Sequence, residues 1–144
     1  MDTIFEILAD KGDRVFSLKP GASVLDAVDT MCHWHVGAIL VCDDYGRPLG
    51  MFTERDLMER VVLRRLDPLA TNVEQVMTRE LACVDGDTTA HEAMAIMTQR
   101  RCRHLPVIDD GRVIGMVSIG DLVRSASRHQ EYEIRLLHDY ITAR

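Results

Sequence analysis

The sequence predicts an α/β (α+β) protein: two β-α-β-β-α repeats packed as one pseudo-two-fold module, followed by a C-terminal helix. Three observations carry that expectation. Gly46 to Leu57 reads G-R-P-L-G-M-F-T-E-R-D-L and Gly111 to Leu122 reads G-R-V-I-G-M-V-S-I-G-D-L, with six of twelve positions identical at an offset of 65. Past a one-residue gap at Tyr45 the correspondence continues upstream at an offset of 66, pairing Val41 with Val107, Asp43 with Asp109, Asp44 with Asp110, Met31 with Met97 and Ala27 with Ala93. Within each copy the apolar pattern switches between helical spacing and strand-length runs. A unit repeated at this period is too small to bury its apolar face alone, and whatever chemistry one copy carries the other is placed to carry too.

Taken in order, residues 3 to 9 read as a short helix ending near Lys11-Gly12. Val15 to Leu18 is extended and Pro20-Gly21 a turn. Ser23 is a good N-cap for a helix to about His33, whose Val24, Ala27, Val28 and Met31 follow helical spacing. Ala38 to Cys42 is a continuous apolar run of strand length, expected to be buried on both faces. Asp43-Asp44-Tyr45-Gly46 is a hairpin turn, Leu49 to Thr53 the returning strand, and Thr53 opens a helix to about Arg65. Asp67-Pro68 marks an exposed connector. The second copy repeats the order: Leu81 to Val84 extended, a helix from Thr88 or Thr89 to about Arg100, strands at Leu105 to Ile108 and Val113 to Ser118, and a helix opened by Ser118. Thr3-Ile4-Phe5-Glu6 resembles Thr71-Asn72-Val73-Glu74, both matching a helix-opening capping box, at an offset of 68. The limits are 1–69 for the first repeat, 70–124 for the second and 125–144 for the tail, where Ile134, Leu137 and Ile141 form one helical stripe suited to packing, a second subunit included.

At 144 residues the chain makes one ordinary domain or two half-size units sharing a core. With 47% apolar residues and few aromatics, that core must come from Leu, Val, Ile and Met. The formal net charge of −6 argues against a surface built to track nucleic-acid phosphates, while leaving room for a local basic pocket. No apolar run spans a membrane and the N-terminus does not read as a signal peptide, so a cytoplasmic location is expected. Cys32, Cys42, Cys83 and Cys102 lack C-x-x-C spacing and read as reduced, buried thiols.

Thr53 and Asp56, and likewise Ser118 and Asp121, have the spacing of a hydroxyl N-cap and a carboxylate at N3, and capping alone explains both pairs. Arg100-Arg101-Cys102-Arg103-His104 stands out in an acidic chain. It reads either as a solvated helix end or, at Arg101 and Arg103, as a phosphate clamp. Cys102 between two arginines admits a thiol with lowered pKa. His33-Trp34-His35 lacks the spacing of a metal pair on one helix face, and the two Asp-Asp turns are explained by turn chemistry. No hydrolase elbow or Ser/His/Asp order appears, and no catalytic residue or metal site is assigned.

The segments G-M-F-T-E-R-D-L, V-G-A-I-L-V-C-D-D, V-M-T (Val76 to Thr78), R-H-L-P-V-I-D-D and G-M-V-S-I-G-D-L, in this order, resemble the cystathionine β-synthase (CBS) domain family over about residues 7 to 124. The resemblance implies a non-catalytic regulatory module that binds an adenosine compound (AMP, ADP or ATP, S-adenosylmethionine, sometimes NAD), with magnesium an option and no cofactor required. It implies a cleft between the units faced by the hydroxyl and carboxylate of each motif. Asp56 and Asp121 would accept ribose hydroxyls, Thr53 and Ser118 would face phosphate, and the segment His104-Leu105-Pro106 would line the base pocket. Thr78, Arg55, Arg101 and Arg103 complete the expected ligand set. The copies differ: Ala38-Ile39-Leu40 stands where the second has His104-Leu105-Pro106, Gly120 stands where the first has Arg55, and Ala9 matches Thr78. The second copy is therefore expected to hold the more complete pocket. Expected partners are the nucleotide, a second copy in a homodimer and a separate regulated protein, with neither nucleic acid nor membrane. Two rivals stay open, a scaffold of the same fold with empty clefts and a thiol-based redox regulator.

Overall fold

The computed structural model of the protein describes residues 2–12, 15–129 and 131–142, with the backbone alone at 129, 131–134, 136 and 140. In chain order the elements are α1 (Ile4–Lys11), β1 (Ser17–Leu18), α2 (Val24–Trp34), β2 (Ala38–Cys42), β3 (Pro48–Thr53), α3 (Glu54–Asp56) with a π-helical continuation (Leu57–Val62), α4 (Val73–Val76), α5 (Ala90–Arg100), β4 (His104–Asp109), β5 (Arg112–Ser118), α6 (Ile119–His129) and α7 (Glu131–Thr142). The expected helix from Thr53 to Arg65 is thus a single α-turn followed by π-helix, a local widening that the apolar spacing of Leu57, Val61 and Val62 does not reveal. Leu81 to Val84 contributes one isolated bridge, Val84 to Val107, and no strand.

The helix starts follow from their caps. Ser23 and Asp26 form a reciprocal capping box on α2, and the Thr89 hydroxyl accepts from the Glu92 N–H on α5. The two helices end alike: His35 and Arg101 are left-handed with φ 55°, and their N–H groups return to the carbonyls of Met31 and Met97. The cap of α4 corrects the sequence reading. Asn72 is its N-cap, with the Asn72 N–H donating to Gln75 Oε1 at 2.8 Å, whereas Thr71 is buried and its hydroxyl bonds the Asp67 carbonyl. Thr3 therefore matches Asn72, and the offset is 69, not 68.

The chain packs as two compact units. One takes α1 together with residues 82–109 and 114 onward, and the other takes residues 15–81 and 110–113. The sequence repeats and the packing units are different divisions, because α1 opens the first repeat yet packs with the second. Its bonds show how: Ile4 N–H to Thr88 O at 2.8 Å, Phe5 N–H to Gly86 O at 2.9 Å, and Ala90 N–H to Asp2 O at 2.9 Å. The start of α4 treats the start of α2 in the same way, with Val73 N–H to Ala22 O at 2.7 Å and Val24 N–H to Thr71 O at 2.9 Å.

In the unit of residues 15–81, β1 pairs parallel with β2 and β2 pairs antiparallel with β3, which sets Ala38 opposite Thr53. All five residues of β2 are buried, as a strand covered on both faces requires. In the other unit β4 and β5 form a two-stranded sheet. Each unit has its own apolar cluster. Val24, Ile39, Val41, Phe52, Val61 and Val73 centre the first, and Ile4, Leu105, Val107, Val117 and Leu122 the second. In the tail, Leu137 is half-buried and Ile141 exposed, while the side chain of Ile134 lies outside the described residues. Among the described residues no helix is long and apolar enough to cross a membrane.

Candidate functional site

Two homologous carboxylates organise the site chemistry, one in each unit. The first sits where β3 passes into α3. Thr53 caps the turn: its N–H donates to Asp56 Oδ2 at 3.0 Å, and its hydroxyl oxygen accepts from the Asp56 N–H at 3.2 Å. This box buries Asp56 to 5% exposure. A buried carboxylate needs further donors, and Thr78 supplies one, its hydroxyl lying 2.9 Å from Asp56 Oδ1. Arg60 stands 3.6 Å from the same oxygen and is held by the Met77 carbonyl at 2.9 Å. Thr78 reaches Asp56 because the Met77-Thr78 backbone lies directly on β3. Met51 and Thr78 exchange both backbone hydrogen bonds, at 2.9 and 2.8 Å, and a Cβ on Gly50 would sit 2.8 Å from the Thr78 oxygen. The repeated glycine of the G-M segment is what permits this approach.

The second carboxylate sits where β5 passes into α6. The Ser118 N–H donates to Asp121 Oδ2 at 2.8 Å, and the Ser118 hydroxyl oxygen accepts from the Asp121 N–H at 3.2 Å. Its remaining partners are cations. Lys11, at the end of α1, is 2.6 Å from Oδ2 and also donates to the Met116 carbonyl at 2.7 Å. Arg124 is 2.6 Å from Oδ1. Burial pushes the Asp121 carboxyl up, but Lys11 and the Ser118 bonds outweigh it and hold the group below the ordinary aspartate range. Gly115, the counterpart of Gly50, lies under Leu8 of α1, where an added Cβ would approach a methyl at 2.7 Å. Ala9, matching Thr78, has no hydroxyl, and Lys11 two residues on supplies the donor.

The structure thus joins Thr53, Asp56 and Thr78 in one cluster and Ser118 and Asp121 in another. Thr78 serves the carboxylate of the first repeat although it stands with the second in sequence. Arg103 is exposed, and its carbonyl accepts from the Ile119 N–H at 2.9 Å, as Gly37 does from Glu54 at 3.1 Å. Arg101 is exposed and ends α5. Arg55 is exposed on the first turn of α3 and has no ion pair among the described residues. His104 is half-buried at the start of β4. Leu105 is fully buried in the apolar cluster, and Pro106 is buried with its carbonyl taken by the Val84 N–H at 3.0 Å.

Sequence reasoning missed Lys11, Arg60 and Arg124. The spacings Asp56 to Arg60 and Asp121 to Arg124 are the i,i+4 and i,i+3 of facing helix residues and were available as a signal. Lys11 is 110 positions from Asp121 and carried none. The thiol expectations are corrected. Of the four cysteines only Cys42 is buried, while Cys32 and Cys83 are exposed. Burial pushes the Cys102 thiol up, and it exceeds the lowering by Arg100, so the neighbouring arginines do not activate it. At the His33-Trp34 helix end, Trp34 stacks on Phe16 at 5.0 Å and His33 meets it edge-on.

The family model described as "CBS domain" matches the chain twice, over residues 6–63 and 73–128. The chain is 41% identical to a solved protein described as a CBS domain, covering 88% of this chain and 98% of that one with a TM-score of 0.83. It is 36% identical to the CBS-domain containing protein ATU1752 from Agrobacterium tumefaciens, covering 85% and 98% with a TM-score of 0.81. Among curated relatives, the mitochondrial CBS domain-containing protein CBSX3 of Arabidopsis thaliana is 38% identical over 83% of this chain, which spans 60% of that relative's length.

Proposed function

Because this chain belongs to the CBS domain family and carries the domain twice, we propose that it is a regulatory module that binds an adenosine nucleotide at its two helix-start carboxylates and signals to a separate protein. The observation behind this reading is the pair Asp56 and Asp121. Each is about 5% exposed, each is bonded by a reciprocal cap, and each stands beside a hydroxyl and a cation. A carboxylate suits the two adjacent hydroxyls of a ribose, and cations with free N–H groups suit its phosphate. Arg55, Arg101 and Arg103 are exposed side chains that suit phosphate, and His104 stands half-buried at the start of β4, where it suits the base. Leu105 contributes from the core, by placing the β4 backbone. A ligand signals only if it binds one conformation or assembly better than another, so the output is a shift in shape or in pairing of two copies.

Isothermal titration with AMP, ADP, ATP, NAD and S-adenosylmethionine, with and without magnesium, tests the reading. Saturable micromolar binding that Asp56→Ala and Asp121→Ala each weaken supports it. A second reading, a scaffold without nucleotide, draws on the exposed Met58, Val62, Leu63 and Leu69 of the first repeat's helical end. Folded, nucleotide-free protein that gives no heat with any of the five compounds selects it.

A further inference from the structure

The two carboxylates are not equivalent, and the difference lies in charge. Asp56 takes its third partner from a neutral hydroxyl, Thr78, while Arg60 stays at 3.6 Å. Asp121 is closed on both oxygens by cations at 2.6 Å, Lys11 on Oδ2 and Arg124 on Oδ1. Position 120 belongs to the same arrangement. The Arg124 guanidinium lies 3.4 Å from where a Gly120 Cβ would stand, and the Ser118 hydroxyl 3.6 Å. The first repeat has Arg55 at the matching position and Glu59 where the second has Arg124. The cation pair is therefore particular to the second repeat.

A ribose that hydrogen-bonds Asp121 competes with Lys11 and Arg124 for the two oxygens they hold. Displaced without a replacement, the two cations lose charge-assisted bonds. A ligand that brings its own anion gives them a new partner in the same step. Both side chains can make that move, since Lys11 is 35% and Arg124 65% exposed. At Asp56 a ribose hydroxyl replaces only the Thr78 hydroxyl, and no cation is stranded. Resting on the nucleotide reading above, we propose that the Asp121 site selects phosphorylated over unphosphorylated adenosine compounds, that Lys11 and Arg124 impose this selection, and that the Asp56 site does not make it.

The test compares AMP with adenosine by isothermal titration. Wild-type chain should bind two AMP and one adenosine. Asp56→Asn, which leaves the Asp121 site, should keep AMP and lose adenosine by about tenfold or more in affinity. Lys11→Gln should narrow that preference from both sides, and Arg124→Gln, at the more exposed residue, gives the same readout if Lys11→Gln does not fold. Adenosine binding to Asp56→Asn as tightly as AMP, or an unchanged AMP preference in both cation variants, overturns the inference and leaves the nucleotide reading standing. Failure of every adenine compound to bind wild-type protein overturns both.

Discussion

Adding one methyl group to each of the two matching glycines separates a backbone contact from a side-chain contact. In Gly50→Ala the new Cβ would lie 2.6 Å from Met77 Sδ and 2.8 Å from the Thr78 carbonyl oxygen, where ordinary contact begins near 3.4 Å. Met77 can turn its sulfur aside, but the Thr78 carbonyl is fixed by paired hydrogen bonds with Met51 at 2.9 and 2.8 Å. Retreat by roughly half an ångström strains both bonds, each worth about 1 kcal/mol net, on top of about 1 kcal/mol for overpacking. The expected loss is about 2–4 kcal/mol. In Gly115→Ala the obstacles are the two methyls of Leu8, at 2.7 and 2.8 Å, which rotate about χ angles. Here the expected loss is about 1 kcal/mol. Urea denaturation followed by circular dichroism measures both, and with a slope of about 1–3 kcal/mol per molar the midpoint should fall by about 1–2 M for Gly50→Ala and well under 1 M for Gly115→Ala. Equal midpoint shifts, or a larger one for Gly115→Ala, would refute the argument that backbone position is what Gly50 protects.

Thr78→Val removes the hydroxyl on buried Asp56 and should cost about 1–2 kcal/mol in the same assay, with Thr78→Ser recovering most of it; a neutral Thr78→Val would mean that the bond contributes nothing. Asp121 is held below its unfolded pKa, so the native state gains stability that is complete above the ordinary carboxylate range and fades as pH falls through the lowered folded value. The midpoint gap between wild type and Asp121→Asn should therefore narrow on acidification through that range, and a gap constant with pH would count against the Lys11 bond as its source. Cys102, raised by burial, should react slowly with a disulfide reagent at neutral pH, and rapid labelling mapped to Cys102 by mass spectrometry would contradict this.

What the sequence made legible is whatever repeats or caps locally. The five buried residues of β2, the Ser23 and Thr89 caps, and the Thr53-Asp56 and Ser118-Asp121 boxes all follow from neighbours within four positions. The π-helical stretch after Asp56 was not legible, because its apolar spacing serves an α-helix equally well. Lys11 was missed, and Thr78 was read with the second unit, for a related reason. Each reaches its carboxylate through a packing step, α1 against Gly115 and Met77-Thr78 against Gly50, that periodicity does not encode. The register error at Thr71 arose because Thr71-x-x-Glu74 and Asn72-x-x-Gln75 are both capping boxes in letters. Only the bonds to the start of α2 distinguish them.

The exchange of leading segments also governs how the chain emerges from the ribosome. α1 is synthesised before the elements it packs against, and at eight residues it is too short to hold a helix alone in water. Its partners at Gly86, Thr88 and Gly115 arrive some eighty to a hundred residues later. The unit of residues 15–81 meets Thr78 almost as soon as Asp56 is made, so the second unit to be started is the first able to close. A nascent chain stopped at residue 69 contains a complete repeat by sequence and neither finished carboxylate site, for Asp56 still lacks Thr78 and Lys11 still lacks Asp121.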